Sequence, residues 1–172
     1  MTDFFNKTDL SRNDAEKIIS ETLNNCDDGE LYLENSKSES IVLDDDKIKS
    51  STYSSDLGYG LRAVTGEVVA YSHSNEISRN SLKQSADNLS STLKSRKGVY
   101  NHEIPKTNEK FYKDINPIEE KSLQSKLKLL KEVNNYTRAK GGIVQQVTAS
   151  FSGEHKSIEI IRSGGEVLTD VR

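Results

Sequence analysis

The alternation of apolar and polar residues is clearest between Gly58 and Tyr71, the most apolar segment of a polar chain. It predicts two β-strands joined by a tight turn at Thr65-Gly66. The first strand presents Tyr59, Leu61 and Ala63 on one face and Arg62 and Val64 on the other. Gly58 and Gly60 would weaken such a strand unless another group lies close to their missing side chains. We therefore expect the core to form around this hairpin.

Shorter apolar runs before the hairpin predict three further strands, Leu31–Glu34, Glu39–Leu43 and Ile48–Tyr53. Polar turns separate them at residues 35–37, 44–46 and 54–56. Consecutive strands with short polar connections are typical of an antiparallel meander rather than of βαβ crossovers.

Two helices flank this meander. Helical spacing of apolar residues predicts one from Asp9 to Cys26, with Ser11 and Asp14 as its capping signal, and another from Ile77 to Lys97. Cys26 ends the apolar stripe of the first helix, so we predict a buried side chain rather than a reactive thiol.

The second half of the chain predicts a helix followed by more strands. Asn116 and Pro117 are strong signals for a helix start, and Gly141-Gly142 should end that helix. Three strands follow at Ile143–Ser152, Lys156–Arg162 and Glu166–Arg172, with a turn at Gly153-Glu154 between the first two. The residues of this helix expected to point inward are Leu123, Leu127, Leu130 and Val133.

These elements predict an α+β fold: an antiparallel β-meander flanked by helices, followed by a helix and a second, truncated antiparallel meander. The predicted divisions are a helix–meander–helix domain at residues 1–98, a linker at 99–116, and a second part at 117–172. Because the last strand stops without a turn or cap, we expect a chain cut from something longer or naturally shortened.

Composition narrows the possible functions. The chain has 172 residues, 30% charged and 33% hydrophobic, with a mean hydropathy of −0.72, so its core should be thin or completed by a partner. A net charge of −3 argues against a nucleic-acid-binding module, since these usually carry a basic face. No apolar run is long enough to cross a bilayer, and no signal peptide is evident. A soluble cytoplasmic protein is expected.

The candidate chemistry is sparse. Gly58-x-Gly60-x-x-Ala63 matches the dinucleotide fingerprint as text, but the residues that follow predict strand rather than helix. Asp44-Asp45-Asp46 reads as a solvated turn rather than a calcium loop. His102-Glu103 begins like a zinc-protease motif, but Pro105 forbids a continuous helix there. His73 and His155 lie on other elements. The sequence therefore predicts no catalytic, cofactor-binding or metal-binding residue in this chain.

An ordered set of segments resembles the N-terminal part of the TldD/PmbA family, which groups modulators of DNA gyrase with zinc metalloproteases. The segments are Leu31–Ser36, Glu39–Leu43, Gly58–Glu67, Gln146–Gly153 and Asp170–Arg172. The TldD branch is the more similar of the two.

The resemblance implies a cytoplasmic peptidase that degrades unfolded peptides, usually a heterodimer of TldD-type and PmbA-type subunits. In the family, zinc is held by a His-Glu-x-x-x-His helix and a later cysteine of the C-terminal domain, and none of these positions is present here. We therefore expect a non-catalytic portion that scaffolds or covers a catalytic domain carried elsewhere. The alternative is a stand-alone remnant or a peptide- or protein-binding module. The expected partners are the other subunit type or the missing C-terminal domain, and an unfolded peptide, with neither nucleic acid nor membrane.

Overall fold

The computed structural model describes residues 4–6, 8–93, 96–99 and 111–172. Within these ranges the chain forms four helices and five strands. In chain order they are α1 (Arg12–Leu23), β1 (Asp28–Asp44), β2 (Lys47–Thr65), β3 (Val68–Ser74), α2 (Arg79–Thr92), α3 (Pro117–Glu120), α4 (Leu123–Arg138), β4 (Thr148–Arg162) and β5 (Val167–Val171).

All five strands belong to one antiparallel sheet with the order β3-β2-β1-β4-β5. Tyr59 pairs with Ser74 and Thr65 with Val68 at the two ends of the β2–β3 ladder. In the β4–β5 ladder, Ser157 pairs with Val171 and Ile161 with Val167. The predicted α+β class with an antiparallel sheet is confirmed. After α4, β4 lies next to β1 and β5 lies next to β4, so these two strands extend the first meander.

Three predicted turns are wrong. Residues 35–37 continue β1, residues 54–56 continue β2, and Gly153-Glu154 continues β4. Their small polar side chains resemble turn sequences, but a strand is held by backbone hydrogen bonds and accepts polar residues where its faces meet water. The predicted strand start at Ile143 is also wrong: β4 begins at Thr148, and Ile143 is 91% exposed.

The predicted turn at residues 44–46 is confirmed, and it joins β1 to β2. Asp45 and Asp46 form it with φ of 46° and 63°. Two consecutive left-handed residues are the geometry of a two-residue hairpin turn. The Asp45 carboxylate accepts a hydrogen bond from the backbone N–H of Val147 at 3.0 Å and another from Arg138. The β2–β3 turn is one residue later than predicted, at Gly66-Glu67, where Gly66 has a φ of 59°.

The described residues group into two compact units. Unit 1 comprises Met1–Asn35, Asp56–Lys113 and Ser157–Val171, and unit 2 comprises Ser36–Ser55, Asp114–Lys156 and Arg172. Each unit consists of segments that are far apart along the chain, because β1, β2 and β4 each have one part in unit 1 and one part in unit 2. The division of domains at residues 98 and 117 stays a prediction, and residues 100–110 of the predicted linker are outside the described ranges.

Unit 1 contains a broad apolar core. Leu31 and Leu33 of β1 and Leu61 and Ala63 of β2 are at most 1% exposed, and α1 and α2 pack on this face. Both helices begin at serine caps: Ser11 Oγ accepts from the N–H of Asp14 at 3.1 Å, and Ser78 Oγ from that of Ser81 at 3.2 Å. Cys26 is buried in the same core, as predicted.

Unit 2 has a smaller core, formed by Ile41, Leu43, Leu130 and Ala149, with Leu127 and Phe151 partly buried beside it. A helix begins after Asn116, as predicted, but it is only the short α3. Lys121 is extended, and a separate helix, α4, starts after the Ser122 cap.

The predicted inward face of α4 is partly wrong. Leu130 is buried and Leu127 is half-buried, whereas Leu123 and Val133 are 51% and 44% exposed. Lys126 takes an interior position with only 4% exposure, because its Nζ atom donates to Glu39 Oε2 and to the carbonyl of Ile118, both at 2.6 Å. A buried ammonium is tolerated only when it is paired in this way.

Candidate functional site

One concavity of unit 1 is on the sheet face opposite the apolar core, and we name it the sheet groove. Tyr32 and Glu34 alternate along β1 with the buried Leu31 and Leu33, which places them on this open face. The groove has a volume of about 280 Å³. Its chemically distinctive lining residues are Tyr32, Glu34, Asp56, Gly60, Tyr71 and His73.

The two glycines of β2 leave the room for the groove. A Cβ atom on Gly60 would be 2.5 Å from Tyr71 Oη, and one on Gly58 would be 2.8 Å from the carbonyl oxygen of Ser74. The expectation that other groups approach these glycines closely is confirmed. Any larger residue at position 60 would displace the Tyr71 ring.

Aromatic rings and carboxylates share the groove. The rings of Tyr71 and His73 are stacked with their centroids 5.8 Å apart at an interplanar angle of 25°. Tyr71 is 64% exposed, and its hydroxyl end lies over Gly60. On β1, the Tyr32 hydroxyl donates to Glu34 Oε2 at 2.5 Å. This bond orients the carboxylate.

Hydrogen bonds behind the groove fasten β2 and β3 to α2. The Tyr59 hydroxyl is 2.8 Å from Ser81 Oγ and 2.9 Å from Ser85 Oγ. Ser72 on β3 donates to Ser85 at 3.0 Å. Because Tyr59 and Ser85 are buried, these bonds satisfy polar atoms that would otherwise be costly to enclose.

An ion cluster is on the same open face. Asp28 accepts hydrogen bonds from Arg62 at 2.9 Å and from Arg162 at 3.0 Å, and Arg62 also approaches Glu30 at 3.7 Å. Burial opposes ionisation of Asp28, but the two arginine hydrogen bonds outweigh it and lower the pKa of the carboxyl. This cluster joins β1, β2 and β4 of unit 1.

The histidines do not form a common site. His73 lines the sheet groove, His155 is on β4 in unit 2, and His102 is outside the described residues, as are Glu103 and Pro105. Across the described part of the chain, no three His, Cys, Asp or Glu side chains come together to hold a metal ion. The zinc that the family resemblance implies therefore has no fitting donor set among these residues.

Burial raises the pKa of the single thiol, Cys26, which disfavours the reactive thiolate. The Gly58-x-Gly60-x-x-Ala63 segment is within β2, which continues to Thr65, so the interpretation as a hairpin is confirmed. None of the described helices is both long and apolar enough to cross a membrane.

Sequence reasoning missed the sheet groove as a site. The available signal was the pair of glycines in an aromatic-rich hairpin, which indicated that other groups come close to β2. It did not show which side chains would line that space, because Tyr32, Glu34 and Asp56 are distant from β3 along the chain.

Comparison with known proteins gives this geometry a family context. Residues 29–93 match the family model described as PmbA/TldA metallopeptidase domain 1. Over 147 residues the chain is 33% identical to the metalloprotease TldD homolog of Buchnera aphidicola from Acyrthosiphon pisum, covering 85% of this chain and 30% of that protein. It is 31% identical over 154 residues to the TldD homolog of Haemophilus influenzae, covering 86% and 31%.

Solved structures share the fold. A Bacteroides thetaiotaomicron protein named as a modulator of DNA gyrase superposes with a TM-score of 0.68 at 17% identity, over 91% of this chain and 37% of that one. TldE from Thermococcus kodakarensis gives a TM-score of 0.60 at 14% identity, over 92% and 36%. At these identities the likeness concerns the fold alone.

The predicted resemblance is confirmed: residues 29–93 match the model of domain 1 of the PmbA/TldA metallopeptidases. Within that family, the curated relatives described above are TldD homologs. The chain spans about a third of the length of those relatives.

Proposed function

We propose that this chain is the N-terminal, non-catalytic portion of a TldD-like zinc metallopeptidase that acts on unfolded peptides. The observation that carries the proposal is the 33% identity to a TldD homolog, which extends over 85% of the chain. In this role the sheet and its helices shape or cover a cavity over a zinc centre carried by a separate catalytic domain.

The test separates scaffold from catalyst. The purified chain, with zinc, is assayed on an unfolded peptide substrate, alone and joined to the C-terminal part of a TldD homolog that carries the His-Glu-x-x-x-His segment. We expect no turnover by the chain alone and zinc-dependent turnover by the joined protein. Chelator-sensitive hydrolysis by the chain alone would overturn the proposal.

A PmbA- or TldE-type subunit is the proposed partner, in a cytoplasmic heterodimer. The TldE likeness supports a common fold for the two subunit types. On α4, Leu129, Val133 and Tyr136 are 49%, 44% and 65% exposed, an apolar surface that a partner would cover.

The partner proposal is tested by mixing the joined protein with a TldE-type subunit and measuring its mass in solution. Val133→Glu should weaken association, while Glu132→Gln, an exposed neighbour on the same helix, should not. An unchanged dimer in Val133→Glu would exclude this face of α4 as the contact.

A stand-alone peptide- or protein-binding module is the second candidate function. The sheet groove favours it, because a binding concavity made from this chain's own residues needs no catalytic domain.

A further inference from the structure

The part of β2 that belongs to unit 2 is a strand without a buried side chain. From Lys47 to Ser55 every residue is exposed. The apolar cluster described for unit 2 takes its residues from β1, β4 and α4, and this part of β2 contributes none of them. The strand is therefore held by its backbone pairing with β1 rather than by burial.

The outer edge of this strand has no described strand beside it. In the sheet, β2 lies between β3 and β1, but β3 pairs with β2 only from Tyr59 to Thr65. Along Lys49–Tyr53, β1 therefore lies on one side, and within the described ranges no strand lies on the other. Alternate residues of a strand direct their backbone N–H and C=O groups to opposite sides, so every second residue presents both groups outward.

The sequence of this edge has few of the features that keep other strands away. Natural edges are protected by proline, by charged side chains or by bulges. Here lysines stand at one end, at positions 47 and 49, and Ser50–Ser55 contains neither a charged residue nor a proline. Thr52 and Tyr53 belong to the residue types that favour strands. The middle of the edge can therefore accept another backbone.

The exposed groups determine the kind of ligand. Backbone N–H and C=O groups at strand spacing are matched by another extended backbone, whatever its side chains. A stable dimer buries at least about 1,200 Å². The large apolar side chains of this strip, Ile48 and Tyr53, are five residues apart and so point to opposite faces. A short peptide therefore fits this edge better than a second copy of the chain.

We propose that the outer edge of Lys49–Tyr53 binds an extended peptide as an added strand, through main-chain hydrogen bonds and with little dependence on the peptide's sequence. The choice of ligand rests on the proposed function, which concerns unfolded peptides. The test uses this chain alone, without zinc or a catalytic domain. Binding here without turnover by the joined protein would contradict only the peptidase assignment, and turnover without binding here would contradict only the edge site.

The experiment is a titration of the isotope-labelled chain with acetyl-Ser-Thr-Val-Thr-Val-Thr-Ser-amide, an uncharged peptide. Amide chemical shifts in NMR spectra and hydrogen exchange report the contact. We expect shifts within residues 48–54 and slower exchange at every second amide there, because only outward N–H groups gain a partner. Shifts or protection confined to β3, β5 or the helices would overturn the proposal.

Two methylated peptides test whether main-chain bonds hold the ligand. Methyl groups on the N–H groups of one edge should leave binding intact, since an added strand uses only one of its edges. Methyl groups on both edges should weaken binding at least tenfold, because each removes a donor. Undiminished affinity of the peptide methylated on both edges would overturn the proposal.

Adjacent proline variants locate the contact on the protein. Because neighbouring residues face opposite sides, one of Ser51→Pro and Thr52→Pro removes an outward N–H, and the other removes an N–H that faces β1. The variant that keeps the native spectrum should bind the peptide about fivefold more weakly. Lys131→Ala, exposed on α4, is the control and should bind normally. A folded proline variant with unchanged affinity would contradict the assigned edge.

The other possible occupant of the edge is a second copy of the chain. Light scattering on the peptide-free chain measures its mass, and we expect a monomer at the concentration of the titration. A dimer that protects the amides of residues 48–54 would assign the edge to self-association and overturn the peptide site.

Discussion

Units 1 and 2 contain parts of the same strands, yet their interiors differ in kind. Unit 1 encloses aliphatic and aromatic side chains from two helices and from β1, β2, β3 and β4. Unit 2 has a small apolar cluster around Ile41 and Leu130, and next to it the buried ion pair of Lys126 and Glu39. The ammonium of Lys126 is also 5.5 Å from the centre of the Phe151 ring.

The difference indicates two ways of holding a helix on a sheet. Apolar burial is non-directional, so unit 1 derives its stability from the area that α1 and α2 cover. A buried ion pair adds little net stability but is costly to break, because the remaining charge loses its partner. Unit 2 therefore depends more on the geometry of single polar contacts.

The largest expected effect is Leu61→Ala in unit 1. Leu61 is fully buried, so the variant should lower the free energy of unfolding by about 4 kcal/mol, within the range for such cavities. Chemical denaturation measures this change. Val69→Ala, in the same hairpin but 57% exposed, should cost less than about 1 kcal/mol. Equal losses in the two variants would contradict the conclusion that burial in this core is the main source of stability in unit 1.

Lys126→Met should come next, with a loss of about 3 kcal/mol in the free energy of unfolding, the low end for a broken buried pair. We expect the low end of the range because the Glu39 side chain is 11% exposed, so water can still solvate the carboxylate that loses its partner. Replacing Glu39 by Met as well should recover most of this loss. Lys128→Met, exposed on the same helix, is the control and should be near neutral. A double variant no more stable than Lys126→Met would show that the stranded charge is not the cause.

Matched helix caps give a smaller effect that compares the units directly. Ser11→Ala on α1 and Ser122→Ala on α4 each remove an acceptor for one backbone N–H and should each cost about 1 kcal/mol. Hydrogen exchange should show the greater local loss of protection in α4, because less apolar packing holds that helix. Greater loss in α1 would reverse the comparison.

The smallest effect concerns acid stability through Asp28. Its pKa is lowered in the folded state, so its contribution is present above the unfolded value of about 4 and is lost as pH falls through the folded pKa. Asp28→Asn should flatten the fall in unfolding free energy below about pH 4. Asp87→Asn, on the exposed side of α2, serves as the control in denaturation series at several pH values. The same acid slope in wild type and Asp28→Asn would rule out this linkage.

Several features were predictable because local chemistry decides them. Ser11 and Asn116 satisfy the first free N–H groups of their helices, which is a property of the adjacent residues alone. The burial of Tyr59, Leu61 and Ala63 follows from strict alternation beside a tight turn. The same alternation continues past Gly58 and Gly60 as a strand, whereas a dinucleotide-binding motif requires a helix there.

Other features depend on partners distant in sequence. The interior position of Lys126 requires Glu39 of β1, which no pattern within α4 reveals. The polar residues 54–56 look like a turn, yet they continue β2. The groove combines Glu34 with Tyr71, and only the pairing of β1, β2 and β3 brings these elements side by side.

The Asp45-Asp46 turn limits how this chain can be engineered. Glycine at position 45 would relax a left-handed residue but would release Arg138 and the N–H of Val147 from the carboxylate that binds them. An extra residue at this corner would need a bulge, or it would slip strands of 17 and 19 residues by one place and turn their buried side chains outward. Peptide tags and labels therefore belong at other loops.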